Sequence, residues 1–196
     1  MTASFTWPLR LILAAFLIAP CLSSTASAAD ATNWKLDPVK SQLGFSGTQT
    51  GSKFDGKFTH YDAAIIFDPD HLDASHITVT VNLASATTGD TQRDTALPGK
   101  DWFDTTQFPQ AKFETTAINK QGPNAYEAVG NLTLRGVTKP LTLPFTLQID
   151  GATAHAVGHA KLMRDTFGVG QGPWATDQWV ALEVDIDIDI IATKSN

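Results

Sequence analysis

The chain has 196 residues, with 14 basic and 20 acidic side chains and a net charge of −6 at neutral pH. This negative balance argues against binding to nucleic acid and against electrostatic attachment to anionic lipid, because both require a basic surface. The one cysteine, Cys21, excludes an internal disulfide and a cysteine-based metal site.

The N-terminal residues have the pattern of an export signal. Arg10 supplies a positive charge, residues 11–19 form an apolar run, and Ala26-Ser27-Ala28 fits a cleavage site. The apolar run is shorter than the roughly 20 residues that span a bilayer. We therefore predict a cleaved signal peptide over 1–28, a single domain over 29–196 and a periplasmic location. The alternatives are a retained anchor and a lipoprotein attached at Cys21.

Cleavage near Ala28 has two consequences for the exported chain. Cys21 is removed, so no thiol chemistry remains. Arg10 is the only charged residue in the predicted signal, so the net charge changes from −6 to −7. Such a surface favours solubility.

From Asn33 onward, apolar and polar residues alternate in short runs separated by Gly, Pro, Asn and Asp, which is typical of β-strands. The predicted strands are 34–37, 42–49, 53–59, 61–67, 76–83, 111–119, 125–134, 141–149, 154–163 and 180–190. Segment 87–108 has no alternation, and we predict a long loop with one or two short helices, in the position of a lid or rim. The fold class is all-β, as an antiparallel barrel or sandwich.

One strand bears on whether a barrel would be hollow. In 154–163 the small residues share one face and polar residues share the other: Ala154, Ala156, Gly158 and Ala160 oppose His155, His159 and Lys161. The polar residues belong in water, so the small residues should face inward. They leave space near the axis unless large side chains fill it, and eight strands is about the size at which a barrel holds one small ligand. From this pattern alone, a hollow and a filled barrel remain equal alternatives.

The sequence offers no catalytic or metal-binding motif. His155 and His159 lack a third ligand at metal-site spacing, and no G-x-S-x-G is present. Gly168, Gly170 and Gly172 resemble a phosphate loop but lack its lysine and its following helix. The acidic row Asp185, Asp187 and Asp189 is typical of a solvated outer face. We expect no enzyme activity, no cofactor and no metal.

Several blocks resemble the YceI-like family of exported proteins. These blocks are WKLDPVKSQLGFS (34–46), FDGKFTHYDAAIIFDPD (54–70), RDTALPGKDWFD (93–104), FPQAKFET (108–115), GNLTLRGVTKPLTL (130–143) and MRDTFGVG (163–170). They keep the family order and cover most of residues 34–192. Lys40 departs from the family, which often has His there, and so do Thr95 and Ala96 after the Arg-Asp pair.

The resemblance implies a lipocalin-like, eight-stranded antiparallel barrel whose interior binds a long apolar molecule. Family ligands are polyisoprenoid, quinone-like or derived from fatty acids. This implication favours the hollow barrel over the filled one. Because of the departure at Lys40, no head-group contact is transferred to that end of the barrel.

We expect the cavity wall to consist of apolar side chains from the strands and the later loops. The candidate ligand-binding residues are Val79, Val81, Leu83, Leu132, Leu134, Leu143, Phe145, Phe167, Trp174 and Trp179, with Trp102 and Phe103 at the mouth and Arg164. Each apolar residue could equally be ordinary core, and Trp102 with Phe103 could simply anchor the long loop. An arginine at the mouth suits an oxygen-rich head group. For Arg93 we favour a loop-tying role, and for Arg164 both roles stay open.

Three functions are compatible with this pattern. The first is a periplasmic binding or carrier protein for an apolar lipid, polyisoprenoid or quinone-like. The second is an interaction or stress-response protein that serves a membrane redox partner and makes transient membrane contact. The third is an enzyme acting on a lipid, for which Tyr126, Arg164 and Asp165 are the available polar groups. The sequence leaves the oligomeric state open, including a dimer.

Overall fold

The computed structural model describes residues 1–2 and 32–195. Apart from its first two residues, the predicted export signal lies outside the described residues. Within the described part of the chain, no helix has both the length and the apolar character needed to cross a membrane.

Eleven strand segments make up most of the described chain. They are β1 (Asn33–Leu36), β2 (Gln42–Gln49), β3 (Ser52–Phe58), β4 (Tyr61–Ile66), β5 (His76–Asn82), β6 (Ala86–Thr87), β7 (Gln110–Lys120), β8 (Ala125–Leu134), β9 (Val137–Asp150), β10 (Thr153–Met163) and β11 (Glu183–Lys194). One α-helix, α1 (Thr91–Ala96), lies in the long loop after β6. Short 3-10 helices are found at Leu72–Ala74, Leu83–Ser85, Arg164–Phe167 and Gly172–Trp174.

The segments form a closed antiparallel barrel of eight strands. β1 and β2 follow one another along the first barrel strand, β3 and β4 along the second, and β5 and β6 along the third, because β2 pairs with β3 while β1 pairs with β4. β7 to β11 complete the ring, which closes where β11 pairs with both β1 and β2. The predicted all-β fold and eight-stranded barrel are confirmed.

Two strands begin three or four residues away from the predicted position. β9 begins at Val137 rather than at 141, because Arg135 and Gly136 alone form the hairpin turn. Both have positive φ, 51° and 73°, as a two-residue hairpin turn of type I′ requires. β11 begins at Glu183 rather than at 180, since Val180 makes only an isolated bridge with Gln49.

The barrel has two ends with different covering. The upper end carries the β2–β3 turn, the long loop 88–109, the β8–β9 turn and the loop 164–182. The lower end carries the connections 67–75, 121–124 and 151–152. The predicted loop over 87–108 is found with its helix, whose N-cap Asp90 accepts a hydrogen bond from the Arg93 N–H at 3.0 Å.

The contact between β9 and β10 has backbone pairing along only half of its length. β9 pairs with β10 from Asp150 to Phe145, and the pairing then stops, although β9 continues to pair with β8 down to Val137. Pro140 and Pro144 fall on the unpaired stretch and lack the N–H that a ladder needs. We call the unpaired upper half of this contact, between residues 137–144 and 159–163, the β9–β10 seam.

Candidate functional site

The barrel interior contains two apolar cavities, one above the other. The upper cavity has a volume of about 260 Å³ and the lower cavity about 130 Å³. They adjoin at a waist of five apolar residues that line both: Leu43, Val79, Phe113, Leu143 and Ile188. The interior is therefore one apolar path along the barrel axis with a constriction near its middle.

The small residues of β10 face this interior, as the sequence predicted. Ala154 and Ala156 line the lower cavity, and Ala160 lines the upper cavity. Gly158 lies between Phe145 and Ile188, where an added Cβ would come within 3.0 Å of the Phe145 Cβ. The barrel is hollow on this side, because three small side chains face space that other residues do not fill.

The opposite face of β10 carries histidines that contact carboxylates of β11 at the surface. His155 Nε2 lies 2.7 Å from an Asp189 oxygen, and His159 Nδ1 lies 2.7 Å from an Asp187 oxygen. Both histidines and both carboxylates are exposed, so the two histidines belong to the outer surface and not to the cavity.

Two reciprocal pairs of phenylalanine and glycine make further room on β2 and β3. Phe45 is paired with Gly56, and Gly47 is paired with Phe54. An added Cβ on Gly56 would fall within 2.8 Å of three atoms of the Phe45 ring, so the ring lies directly over the glycine. Each ring thus covers the facing strand instead of projecting into the upper cavity, whose wall it forms.

Aromatic residues fill much of the lower end. The Tyr126 ring stacks on Phe145 at 5.6 Å and meets Phe67 edge-on at 5.5 Å. The Trp34 indole N–H donates to the Phe67 carbonyl at 2.9 Å. This cluster narrows the lower cavity, which explains its smaller volume.

Two loops close over the upper cavity. The Asp101 carbonyl in loop 88–109 accepts hydrogen bonds from the N–H groups of Gly170 and Gln171, at 2.9 and 2.7 Å. Trp102 and Trp174, one from each loop, pack with ring centroids 5.7 Å apart. Trp102 and the buried Phe103 both line the cavity, so they anchor the loop and form the cavity roof together.

Arg164 is committed to holding the second loop. Its side chain is 2% exposed and donates to four backbone carbonyls, those of Val169, Thr176, Val180 and Ala181, at 2.8 to 3.1 Å. Burial lowers its pKa, although an arginine keeps its charge at any physiological pH. Arg164 lines the upper cavity, but most of its donors are occupied.

Arg93 differs from Arg164 in the donors it leaves free. Its Nε donates to the Thr88 hydroxyl at 3.1 Å, and Nη1 donates to the Gln49 side chain at 3.3 Å. Nη2 approaches Asp90 only to 4.0 Å, and among the described residues it has no hydrogen-bond partner. The guanidinium lies 4.9 Å from the Phe54 ring centre. Arg93 therefore ties the loop, as predicted, and also keeps free donors at the cavity.

The structure places most of the predicted residues at the cavity wall. Those lining the upper cavity are Val79, Val81, Leu83, Trp102, Phe103, Leu132, Leu134, Leu143, Arg164 and Trp174. Phe145 lines the lower cavity. Whether these side chains contact a ligand stays a prediction.

Two predicted residues lie elsewhere. Trp179 is 48% exposed, because Val180 turns inward and alternation sends its neighbour outward. Phe167 is buried in the 3-10 helix Arg164–Phe167 and packs in the core with Val169 and Leu134, behind the cavity wall. Both residues lie in loop 164–182 and outside the predicted strands, so the sequence did not fix which way their side chains face.

Sequence reasoning considered Arg93, for which it favoured a loop-tying role, but missed the other polar groups at the rim of the upper cavity. Gln49, Thr88, Gln92 and Arg93 line it beside the apolar wall. Thr88 and Arg93 stand in the long loop and Gln49 at the end of β2, so no spacing along the chain could have grouped them. The wall positions Phe45 and Phe54 could have been found from their alternation with Gly47 and Gly56.

The polar groups considered for catalysis do not converge. Tyr126 is buried among aromatics at the lower end, Asp165 is exposed at the upper end, and Arg164 is bound to carbonyls. Among the described residues, no group of three or more His, Cys, Asp or Glu side chains is placed to hold a metal ion.

The sequence resembles a known family and several of its members. The family model of the YceI-like domain matches residues 34–192. A UPF0312 protein of Photorhabdus laumondii is 35% identical over 169 residues, which cover 80% of this chain and 87% of that protein. A UPF0312 protein of Yersinia pestis is 33% identical over 175 residues, covering 84% and 91%.

Solved structures share the fold. The Burkholderia cenocepacia protein BcnA superposes with a TM-score of 0.78 at 34% identity, over 81% of this chain and 99% of BcnA. A polyisoprenoid binding domain from Saccharophagus degradans superposes with a TM-score of 0.66 at 13% identity, over 84% of this chain and 99% of that domain. At that identity the second likeness concerns the fold alone.

Proposed function

Because the chain belongs to the family of YceI-like domains, we propose that it is a periplasmic protein that binds and carries one long apolar lipid, polyisoprenoid or quinone-like, inside its barrel. The observation that supports this most is the interior itself. The upper and lower cavities meet at the waist and follow the barrel axis. An extended chain would fit this path better than a compact ligand.

The wall chemistry suits such a chain. Among the described residues, those that line the lower cavity are all apolar, and those that line the upper cavity are polar only at its rim and at Arg164. Burying a methylene group contributes about 0.8 kcal/mol, so ten of them contribute roughly 8 kcal/mol before the costs of association. The cavity can therefore bind an apolar chain without a fixed charge along most of its length.

The likeness in fold to a domain described as polyisoprenoid binding adds support. The export signal predicted over 1–28 is the basis for the periplasmic location. The two loops over the upper cavity support the carrier role, because a lipid held beneath them would be shielded from water between two membranes.

The first experiment identifies the ligand. Protein purified gently from its native host, without detergent, is extracted with organic solvent and the extract is analysed by mass spectrometry. We expect one class of long apolar molecule in near-stoichiometric amount. Recovery of no apolar molecule, together with failure to take up a neutral apolar fluorophore, would contradict the proposal.

A matched pair of variants then tests the location. Ala160→Phe fills the upper cavity, whereas Val157→Phe adds the same ring on the outer face of β10, where Val157 is 44% exposed. Ala160→Phe should abolish uptake of the fluorophore, and Val157→Phe should leave it unchanged. Equal uptake by both variants would place binding outside the barrel.

A further inference from the structure

We propose that Arg93 binds the head of the ligand, so that the ligand is an amphiphile whose head carries an oxyanion, a carboxylate or a phosphate. This inference rests on the proposed function and makes its ligand class more specific. Its starting point is the uneven polarity of the interior. Among the described residues that line the upper cavity, Arg93 and Arg164 are the only charged ones, and none is acidic.

Arg93 is the one of the two arginines that can still bind a ligand. The four backbone carbonyls around Arg164 occupy all but one of its five N–H donors. Arg93 uses one donor for Thr88 and one for Gln49, which leaves three. A carboxylate or phosphate accepts two parallel N–H bonds from a guanidinium, and the free donors of Arg93 can make that contact.

The guanidinium is also held in place before any ligand arrives. Thr88 accepts from Arg93 and donates to Asp94 at 2.7 Å, so one hydroxyl ties the guanidinium to the side chain of the next residue in α1. Phe54 packs against the guanidinium on another side. A fixed arginine loses less conformational entropy when it binds an anion than a free surface side chain loses.

The neighbouring carboxylates do not take the place of a ligand. Asp94 accepts hydrogen bonds from Thr87 and Thr88 rather than from Arg93. Asp90 caps the helix through the Arg93 backbone N–H, and its other oxygen stays 4.0 Å from Nη2. Both aspartates hold the loop, and the outer donors of Arg93 remain for a group at the rim.

Gln49, Thr88 and Gln92 complete a rim of uncharged polar groups around Arg93. Below them the wall is apolar down to the waist. This order, a cation and polar groups at the rim and apolar residues beneath, matches the order of an amphiphile that enters tail first. The head would stay at the rim near solvent, since the Arg93 side chain is 29% exposed.

The test compares three ligands of the same chain length: hexadecanoic acid, hexadecyl phosphate and hexadecanol. Each ligand is used to displace a neutral apolar fluorophore at neutral pH. The displacement is measured on the wild type and on three variants, Arg93→Gln, Arg93→Lys and Lys53→Gln. Lys53 is an exposed cation of β3 that does not line the cavity, so it controls for general electrostatics. The acid and the phosphate distinguish the two possible sources of the oxyanion.

We expect the wild type to bind the acid or the phosphate at least roughly tenfold more tightly than the alcohol, a difference of about 1.4 kcal/mol. Arg93→Gln should lose this preference while its affinity for the alcohol stays unchanged, Arg93→Lys should keep part of it, and Lys53→Gln should keep all of it. The preference of the wild type is informative even if Arg93→Gln fails to fold.

Equal affinity of the wild type for acid, phosphate and alcohol would overturn the inference and leave the proposed function intact, with a neutral head. A preference that survives in Arg93→Gln would also overturn it. Failure of the wild type to bind the fluorophore and all three ligands would instead contradict the proposed function, and the head-group assignment with it.

Discussion

At the residue scale, the two arginines beside the cavity have different structural roles. Arg164 is the first residue of the 3-10 helix that follows β10 and is surrounded by carbonyls of loop 164–182. Arg93 stands in α1 and faces side-chain partners at longer distances. Both arginines are followed by aspartate in the sequence, so the sequence does not distinguish their roles. The structure does, through the number of backbone carbonyls close to each guanidinium.

Replacing Arg164 should destabilise the fold. Arg164→Lys keeps the charge but loses the planar fork, so several of the four carbonyls lose their donor, and we expect a loss of about 2–3 kcal/mol in the free energy of unfolding. Urea unfolding measures this loss. Arg93→Lys is the matched control and should cost less than about 1 kcal/mol, because Arg93 is partly exposed. Equal losses would show that Arg164 is not specially bound.

Asp94 makes the stability of the long loop depend on pH. Hydrogen bonds from Thr87 and Thr88 hold the pKa of Asp94 below its ordinary value. A lowered folded pKa means that the stabilisation is present above the unfolded pKa of about 3.9 and disappears as the pH falls through the folded value. Asp94→Asn should therefore be less stable than the wild type at pH 6, and the difference should shrink below about pH 4. Urea unfolding across this pH range is the measurement, and a constant difference would contradict the assignment.

At the element scale, β9 shows how two prolines, Pro140 and Pro144, change the pairing of a long strand. The Pro144 carbonyl lies within 2.8 Å of the position that a Gly158 Cβ would occupy, so the polar groups of residue 144 point toward β10. The backbone nitrogen and carbonyl of Pro140, four residues away, point to the same side. Both missing N–H groups thus fall on the β9–β10 seam, while pairing with β8 on the other side continues.

Restoring one donor should extend the ladder. In the register of β9 and β10, residue 144 stands opposite His159, directly after the last observed pair, Phe145 with Gly158. Pro144→Thr supplies an N–H for the His159 carbonyl, and we expect the new amide at position 144 to exchange its hydrogen slowly. Pro140→Thr alone is the control, because it has no adjacent pair from which the ladder could extend, and its new amide should exchange fast. Fast exchange of the new amide in Pro144→Thr would show that something other than the proline separates the strands.

At the scale of the whole molecule, the barrel combines a lower end packed with aromatic residues and a larger cavity in its upper half. Aromatic residues occupy the lower end, and small residues with the phenylalanine–glycine pairs leave room above. The waist divides this room, so a long chain that fills the upper cavity must pass it to reach the lower one. Chain length should therefore be selected by the lower cavity.

Filling the lower cavity should shorten the chain that the protein accepts. Ala63 lines this cavity and its neighbour Ala64 is exposed on the outer face of β4, so Ala63→Phe and Ala64→Phe form a matched pair. In a series of unbranched alcohols, Ala63→Phe should lose roughly fourfold in affinity for each methylene displaced from the lower cavity. Alcohols too short to reach the lower cavity should bind to Ala63→Phe as tightly as to the wild type. Displacement of the neutral fluorophore measures both, and identical profiles for the two variants would place the chain elsewhere.

The sequence by itself determined the strands, their inward faces and the number of barrel strands implied by the family resemblance. Alternation with period two records which side of each strand is buried, and that information is local. The inward position of Ala154, Ala156 and Ala160 could be predicted for this reason, and so could the irregular loop over 87–108 with its short helix.

Only the tertiary structure decided how much of the interior is empty and which polar groups border it. Whether Ala160 faces space or a ring depends on side chains from distant strands, and the rim of Gln49, Thr88 and Arg93 joins residues from β2 and the long loop. The exposed position of Trp179 and the carbonyls around Arg164 depend on loop 164–182, which has no period to read. These features are contacts between segments far apart in the chain, and local alternation carries no record of them.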